Sequence, residues 1–220
     1  MPKISVIIST YERSEMLREC IDSFFRQTFR DFELCICNDG GTISNIQNDP
    51  RIKYVNIEHT ESSSAPRNAA LKLADGEYIM VFDDDDRAES TLIEKCVKTL
   101  DENPDIDCVY TDYYDFNKDG RWQQRTTQYD HDLQKLLVKE YMPHGGSTWR
   151  KNKFPRYDEY FKSAEDWDLF LTAAENGLRF KHISECLWNH RVGHKQEKGT
   201  PKQDFYIKEV IKKHAKFRKD

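Results

Sequence analysis

Apolar positions along the first half of the chain fall into alternating strand and helix patterns. Residues 4–8 form a short, nearly continuous β-branched apolar run, which is typical of a strand covered on both faces. Helical spacing follows at residues 16–25, with Ser14 at the expected position of a helix N-cap. A second buried apolar run occupies residues 78–82. This pattern predicts a single-domain α/β protein with an open, mostly parallel sheet flanked by helices.

Polar clusters follow three of the predicted strands, at residues 10–13, 38–41 and 83–86. The carboxyl ends of parallel strands meet at one edge of an open α/β sheet, and ligands bind outside that edge. We therefore expect the three clusters to form parts of one binding site.

The second half of the chain has a weaker pattern. Thr91 and Glu94 have the spacing of a capping box at the start of a helix. Periodicity is low over residues 113–148, where aromatic residues and glycines indicate loops around a cleft. A helix that opens near residue 163 and ends at Gly177 is followed by two predicted short strands, at 180–183 and 186–190.

Composition narrows the class of protein. With 220 residues, 37% of them hydrophobic and 33% charged, the chain is expected to fold around one core. The net charge of −5 gives no general attraction for nucleic acid. The apolar runs are far shorter than the roughly 18 residues that span a bilayer, and the N-terminus lacks a signal-peptide pattern, so we expect a cytoplasmic protein. Six cysteines without a Cys-x-x-Cys pair predict reduced thiols.

The C-terminal segment differs from the rest of the chain in charge. Residues 195–220 hold nine Lys or Arg against four Asp or Glu. One helical face over residues 203–217 gathers apolar side chains and a histidine, namely Ile207, Val210, Ile211, His214 and Phe217. Docking of this face onto the domain is the favoured interpretation. Peripheral contact with the inner face of an anionic membrane is the alternative.

The acidic run at residues 83–86 is the strongest chemical signal. Adjacent carboxylates repel one another, so they solvate, shift upward in pKa or bind a cation. Magnesium commonly takes one or two protein carboxylates and shares its remaining sites with water and substrate phosphates. Asp83 and Asp85 have the chemistry for that role. The simpler interpretation is a solvated loop whose charges favour the start of the next helix.

Six segments of the chain, including the acidic run, form an ordered set of motifs. They are Ile-Ile-Ser-Thr-Tyr-Glu-Arg at 7–13, Asn-Asp-Gly-Gly-Thr at 38–42, Pro-Arg-Asn-Ala-Ala at 66–70, Phe-Asp-Asp-Asp-Asp at 82–86, Glu-Asp-Trp-Asp-Leu at 165–169 and His-Arg-Val-Gly-His at 190–194. In this order they resemble the motifs of the family-two inverting glycosyltransferases. That resemblance implies a Rossmann-like GT-A domain at 1–195, with a nucleotide-sugar-binding half at 1–112 and an acceptor-binding half at 113–195. A basic amphipathic helix at 196–220 would follow it.

The resemblance also implies roles for individual residues. Asp166 is the implied general base, and Glu165 and Trp167 are the implied acceptor contacts. The implied metal ligands, for Mn²⁺ or Mg²⁺, are Asp83, Asp85 and His194. The implied donor contacts are Thr10, Tyr11, Glu12, Arg13, Asp39, Arg67, Asp83 and Asp84.

Most of these residues also have a simpler structural explanation. Asp39, beside two glycines, is typical of a turn. Acidic residues at a helix start, such as Glu165 and Asp166, complement the helix dipole without any functional role. Surface charge or core packing would account for Arg13, Arg67 and Trp167. Nothing in the spacing alone assigns a role to His194.

The sequence therefore predicts a metal-dependent, inverting glycosyltransferase. It would move a sugar from a nucleotide-diphospho-sugar, with UDP as the expected nucleotide, to a hydroxyl of a carbohydrate or lipid-linked acceptor in cell-surface polysaccharide or glycolipid synthesis. A sugar nucleotidyltransferase is one alternative, but residues 9–13 lack the glycine-rich phosphate loop it needs. A non-catalytic nucleotide- or sugar-binding module is another, and it would not require Glu165 and Asp166. The sugar, the acceptor and pairing into a homodimer stay open.

Overall fold

The computed structural model describes residues 1–43, 46–117, 119–120, 122–126, 131–193 and 200–217. Its strands are β1 Ile4–Thr10, β2 Phe32–Asn38, β3 Ile52–Asn56, β4 Tyr78–Asp83, β5 Arg87–Ala88, β6 Cys108–Phe116, β7 Trp122–Thr126, β8 Thr148–Arg150 and β9 Phe180–Arg191. Its α-helices are α1 Ser14–Phe25, α2 Ser64–Leu71, α3 Leu92–Glu102, α4 Leu133–Val138, α5 Glu165–Glu175 and α6 Pro201–Lys213. Short 3₁₀ helices occupy Lys151–Lys153 and Ala215–Phe217.

The strands form one sheet in the order β3-β2-β1-β4-β8-β6-β9-β5, with β7 paired to β6. The strands from β3 to β4 in this order run parallel. The short strand β8 lies antiparallel between β4 and β6 and joins the two halves of the chain. This architecture confirms the predicted α/β class.

Register places the carboxyl ends of the central strands at one edge. Thr10 at the end of β1 pairs with Asn38 at the end of β2, and Ser9 pairs with Asp83 at the end of β4. The three polar clusters therefore leave the sheet side by side, as the strand pattern predicts.

Helices cover both faces of these parallel strands. On one face, Leu17 and Phe24 of α1 pack against Val6 and Ile8 of β1. On the other face, Ala70 of α2 packs in a cluster that includes β1 and β2 residues. Because both faces are covered, β1 reads as a nearly continuous apolar run rather than an alternating one.

The local cap predictions are wrong. Ser14 is the first residue of α1, and the N-cap position belongs to Arg13, which makes no side-chain cap bond. Thr91 is the N-cap of α3, but its side chain also makes no cap bond. The Glu94 carboxylate accepts a hydrogen bond from Thr28 at 2.6 Å instead. A partner distant in sequence replaces the local bond of the capping box.

The two short strands predicted at 180–183 and 186–190 are a single strand, β9. Its pairing with β6 shifts register near Thr111 and Asp112, which interrupts the sequence pattern without ending the strand. The region 113–148, predicted to be loops, contains the end of β6 together with β7, α4 and the start of β8.

Helix α6 packs against α5 in a second core. Val210 is fully buried there, and His214 is 2% exposed. The two ring nitrogens of His214 lie 2.9 Å from Asp168 Oδ1 and 2.7 Å from Glu175 Oε1. The apolar face of the tail is thus covered by the domain. Within the described ranges, no helix is both long and apolar enough to cross a membrane.

Candidate active site

A cleft of about 1010 Å³ opens at the carboxyl edge of the sheet. Its lining comes from the ends of β1, β2 and β4, from the start of α5 and from α6. Both halves of the chain therefore contribute to one cavity. Of the residues predicted from the sequence, the cleft lining includes Thr10, Tyr11, Arg13, Asp39, Arg67, Asp83, Asp84, Asp85, Glu165, Asp166 and Trp167.

Two of the predicted site residues are not among the described residues that line the cleft. Glu12 is exposed, with a positive φ of 50°, and does not belong to the cleft lining. Its side chain lies beside Gly41. His194 lies outside the described residues.

Arg67 connects the two sides of the cleft. Its Nη2 donates to Asp83 Oδ1 at 2.6 Å, and its Nη1 donates to Glu165 Oε1 at 2.5 Å. Arg67 is 6% exposed, so its two hydrogen bonds form where there is little water. Asp83 ends β4 and Glu165 begins α5, which means that one side chain fixes the distance between the end of β4 and the start of α5.

The two carboxylates on Arg67 respond differently to it. Burial favours the protonated form of Asp83, but the charge of Arg67 outweighs this and lowers the pKa of Asp83. Burial raises the pKa of Glu165, and the charge of Arg67 opposes this without reversing it, because the nearby carboxylate of Asp166 adds to the effect of burial. Asp83 is therefore ionised at neutral pH.

The rest of the acidic run is only partly neutralised. Arg13 Nη1 lies 3.1 Å from Asp84 Oδ1 and 3.0 Å from Asp85 Oδ2. Asp86 Oδ1 accepts from the backbone N–H of Arg191 at 2.8 Å. The second carboxylate oxygens of Asp84 and Asp86 are buried without a hydrogen-bond partner among the described residues. Burial, opposed by Arg13 and reinforced by Asp85, raises the pKa of Asp84 to about 7.

These carboxylate oxygens carry more negative charge than the neighbouring cations neutralise, and such a group suits a divalent cation. The Asp83 side chain is 35% exposed, and Asp83 and Asp85 both line the cleft. In the part of the chain that the structure describes, no three His, Cys, Asp or Glu side chains are grouped to hold an ion by themselves. Two carboxylates that share an ion with phosphate oxygens are a common arrangement for magnesium. The residues present therefore suit an ion held jointly with a ligand.

Asp39 also lines the cleft, and it has a separate hydrogen-bond network. Its Oδ1 accepts from the Thr60 backbone N–H at 2.9 Å and from the Thr60 hydroxyl at 2.7 Å. Its Oδ2 lies 3.0 Å from His59 Nδ1, and the His59 ring stacks on Tyr11 with centroids 4.0 Å apart. Asp39 N–H in turn donates to the carbonyl of Thr10.

Sequence reasoning missed His59 and Thr60. A signal was present, because both follow a segment, 52–57, that is rich in β-branched and aromatic residues and is typical of a strand. This strand, β3, is parallel to β2, so its carboxyl end falls at the same edge as the other clusters. Gly40 allows the close approach: its φ is 87°, and a Cβ there would lie 3.0 Å from His59.

Asp166 is placed by the start of α5. Ala164 takes a left-handed conformation with φ of 57° before the helix begins. Asp166 Oδ1 accepts from the Trp167 backbone N–H at 2.9 Å. The half-buried carboxylate lines the cleft. Trp167 is 4% exposed and donates from Nε1 to the Leu136 carbonyl at 2.7 Å, so most of its ring is core.

The order of the sheet, the acidic end of β4 and a cleft lined by both halves of the chain are features of the GT-A fold of glycosyltransferases. Residues 5–184 match the family described as Glycosyl transferase family 2, and the chain belongs to that family.

Relatives by sequence include polysaccharide synthases. The chain is 30% identical to a chondroitin synthase of Pasteurella multocida (strain Pm70), over 88% of this chain and 21% of that protein. It is 28% identical to the uncharacterized glycosyltransferase MJ1057 of Methanocaldococcus jannaschii, over 99% of this chain and 81% of that protein. This chain therefore spans about a fifth of the length of the chondroitin synthase.

Solved structures share the fold. The crystal structure of S. aureus TarS 1-349 in complex with UDP-GlcNAc matches with a TM-score of 0.78 at 22% identity, covering 97% of this chain and 65% of that chain. The complex of the same protein with UDP matches with a TM-score of 0.77 at 20% identity, covering 99% of this chain and 67% of that chain. These matches confirm the predicted GT-A architecture.

Proposed function

We propose that this chain transfers a sugar from a UDP-sugar to a hydroxyl group of an acceptor, with inversion at the anomeric carbon. The observation that carries the proposal is the Arg67 bridge. It joins the acidic end of β4 to the start of α5, where Asp166 lies, in one cleft. A donor held at the end of β4 and an acceptor held at the start of α5 would then meet in that cleft.

On the donor side, Asp39 accepts a hydrogen bond from the base, and Tyr11 supplies an aromatic surface beside it. Asp83 and Asp85 would hold Mn²⁺ or Mg²⁺. The bound ion supplies positive charge to the departing nucleotide diphosphate. Arg13, which lies against Asp84 and Asp85, contributes a further cation at this end of the cleft.

On the acceptor side, Asp166 removes the proton of the attacking hydroxyl. Its Oδ1 is held by the Trp167 N–H, which fixes the direction of the carboxylate. Glu165, held by Arg67, contacts the acceptor. The C1–O bond to the diphosphate breaks as the new C1–O bond forms on the opposite face of the sugar, so the configuration inverts.

We place the reaction in the synthesis of a cell-surface polysaccharide or glycolipid. The support is the set of sequence relatives that are named as polysaccharide synthases. Within this chain, Ile207 and Ile211 of α6 and Val138 at the end of α4 give apolar side chains to the cleft that Asp166 also lines. An acceptor with an apolar face, such as a sugar ring or a lipid-linked sugar, suits this wall.

Calorimetry with UDP, with and without Mn²⁺, tests the donor side of the proposal. Wild-type protein should bind UDP more tightly when Mn²⁺ is present, and Asp85→Ala should abolish that gain because it removes a proposed ligand. Asp105→Ala is the matched control, since it removes an exposed carboxylate paired with Arg179 outside the cleft. Metal-dependent UDP binding that survives in Asp85→Ala would contradict the assignment.

A further inference from the structure

One carboxylate oxygen of Asp39, Oδ1, has its acceptor capacity in use. Each carboxylate oxygen accepts about two hydrogen bonds. Oδ1 accepts two, from the N–H and the hydroxyl of Thr60. The hydroxyl also lies 3.2 Å from the Ser62 carbonyl, but its single proton goes to the nearer acceptor, Asp39 at 2.7 Å. His59 Nδ1 lies 3.0 Å from Oδ2, but its hydrogen bond goes to the nearer Asp39 carbonyl at 2.9 Å.

His59 holds this arrangement from the other side. Its Nδ1 faces two acceptors, Asp39 Oδ2 at 3.0 Å and the Asp39 carbonyl at 2.9 Å, so Nδ1 carries the hydrogen. The ring is also fixed by its stack on Tyr11, with an interplanar angle of 16°. With centroids 4.0 Å apart, the two rings leave no room for a base between them. A base therefore reaches Asp39 from the cleft and finds its acceptor on Oδ2, because both acceptor positions of Oδ1 are taken by Thr60.

We propose that Thr60, by occupying Oδ1, makes Asp39 a selective acceptor for a single N–H donor on Oδ2, and that this sets the base preference of the enzyme. The proposal rests on the proposed function in one respect, that the donor nucleotide places its base at Asp39. Uracil and thymine present one ring N–H between two carbonyls. Guanine presents two adjacent N–H donors, which need acceptor positions on both carboxylate oxygens. Cytosine places a lone pair where uracil has its N–H, which would face the carboxylate.

Because Asp39 is buried, the number of its free acceptor positions affects how tightly a base binds. The residue is 4% exposed, so water does not readily satisfy a base donor that finds no acceptor there. An unsatisfied donor in such an environment costs binding free energy. Guanine should lose one of its two bonds at this site, whereas uracil loses none.

The test measures dissociation constants of UDP, CDP and GDP by calorimetry in the presence of Mn²⁺, for the wild type and for variants of Thr60. Wild type should bind UDP most tightly. Thr60→Val removes the hydroxyl and frees a second acceptor position, on Oδ1, so the ratio of the GDP to the UDP dissociation constant should fall by about threefold to tenfold. Thr60→Ser keeps the hydroxyl and should keep the wild-type ratio.

Two further variants separate this effect from general damage to the cleft. Ser63→Ala also removes a cleft hydroxyl, but the Ser63 side chain makes no cap bond to α2 and the acceptors of Asp39 Oδ1 are filled by Thr60, so its ratio should equal that of wild type. His59→Phe keeps a ring on Tyr11 and leaves Oδ1 bonded to Thr60, so its ratio should also equal that of wild type.

The outcomes distinguish this proposal from the proposed function. If wild type binds UDP and GDP equally, or if Thr60→Val binds UDP with an unchanged ratio, the selective-acceptor proposal is overturned while nucleotide binding stands. If wild type binds none of the nucleotides, the proposed function and this proposal are overturned together.

Discussion

At the scale of single residues, the proposed chemistry depends most on Asp166. If it is the general base, Asp166→Asn keeps the size of the side chain but cannot accept the proton, so single-turnover transfer should fall by roughly 10²–10⁴-fold. UDP affinity should stay nearly constant, because Asp39, Asp83 and Asp85 lie on other loops. Transfer from a UDP-sugar to a working acceptor, measured beside UDP calorimetry, checks both expectations.

A matched variant separates base catalysis from a helix-start charge. Asp204 is the acidic residue in the first turn of α6, as Asp166 is in α5, and it is exposed. Asp204→Asn should change stability by at most about 1 kcal/mol and leave transfer intact. Equal, small effects in both variants would assign Asp166 a purely structural role and direct attention to Glu165.

Residue types at strand ends were predictable from the sequence, whereas their partners were not. The acidic run after β4 and the Asp39 turn after β2 both fall at the cleft, because a buried strand fixes where its loop emerges. The Arg67 bridge joins residues 16 and 98 positions apart, and no local pattern encodes such a pairing. The capping box failed for the same reason, since Glu94 bonds to Thr28.

At the scale of elements, His214 is the main polar link between α6 and α5. Carboxylate oxygens face both of its ring nitrogens, one from Asp168 and one from Glu175. Lys213 adds a cation at Asp168, with Nζ at 2.8 Å from Oδ1.

Replacing His214 should therefore weaken the packing of α6. His214→Ala removes the donor to Glu175 and one of the donors to the buried Asp168, which Lys213 still contacts, and the free energy of unfolding should fall by about 1–3 kcal/mol. Lys212→Ala is the neighbouring control, because its side chain is 79% exposed and lies 3.8 Å from Glu209, so it should cost less than about 0.5 kcal/mol. Urea denaturation of the two variants provides the comparison, and equal stabilities would rule out the link.

Among the elements, buried parallel strands were the easiest to predict and irregular ones the hardest. The apolar runs of β1 and β4 have the length and the β-branched composition of buried strands and are too short for a typical helix. Strand β9 reads as two segments because its side chains are half-exposed over its first part and its register shifts against β6. The docking of α6 was the favoured interpretation from its apolar face, but its ion pairs to α5 were not foreseeable.

At the scale of the whole molecule, His144 links folding to pH. It is buried, with Nε2 at 2.6 Å from the Tyr157 hydroxyl. Burial, together with the charge of Arg67, lowers the pKa of His144 to about 4. The unfolded chain binds a proton near the ordinary histidine pKa of about 6.5, whereas the folded chain does not, so stability is complete above that pH and is lost as the pH falls toward 4.

The size of this effect can be measured by substitution. Between pH 6.5 and pH 4, His144 should account for about 1–3 kcal/mol of lost stability. His144→Gln cannot take up the proton, so its stability should fall less over the same interval than that of wild type. Denaturation curves at several pH values compare the two slopes. Parallel slopes would show that other groups cause the loss.

The position of α6 after the rest of the domain has a consequence for biosynthesis. Chains emerge from the ribosome N-terminus first, and the parallel strands β1 to β4 can pair before α6 exists. Until α6 arrives, Asp168 and Glu175 lack the His214 ring between them, and one wall of the cleft is missing. A nascent chain could therefore assemble its donor pocket well before its acceptor side is complete. Translation itself would delay the onset of transfer until α6 has folded onto α5.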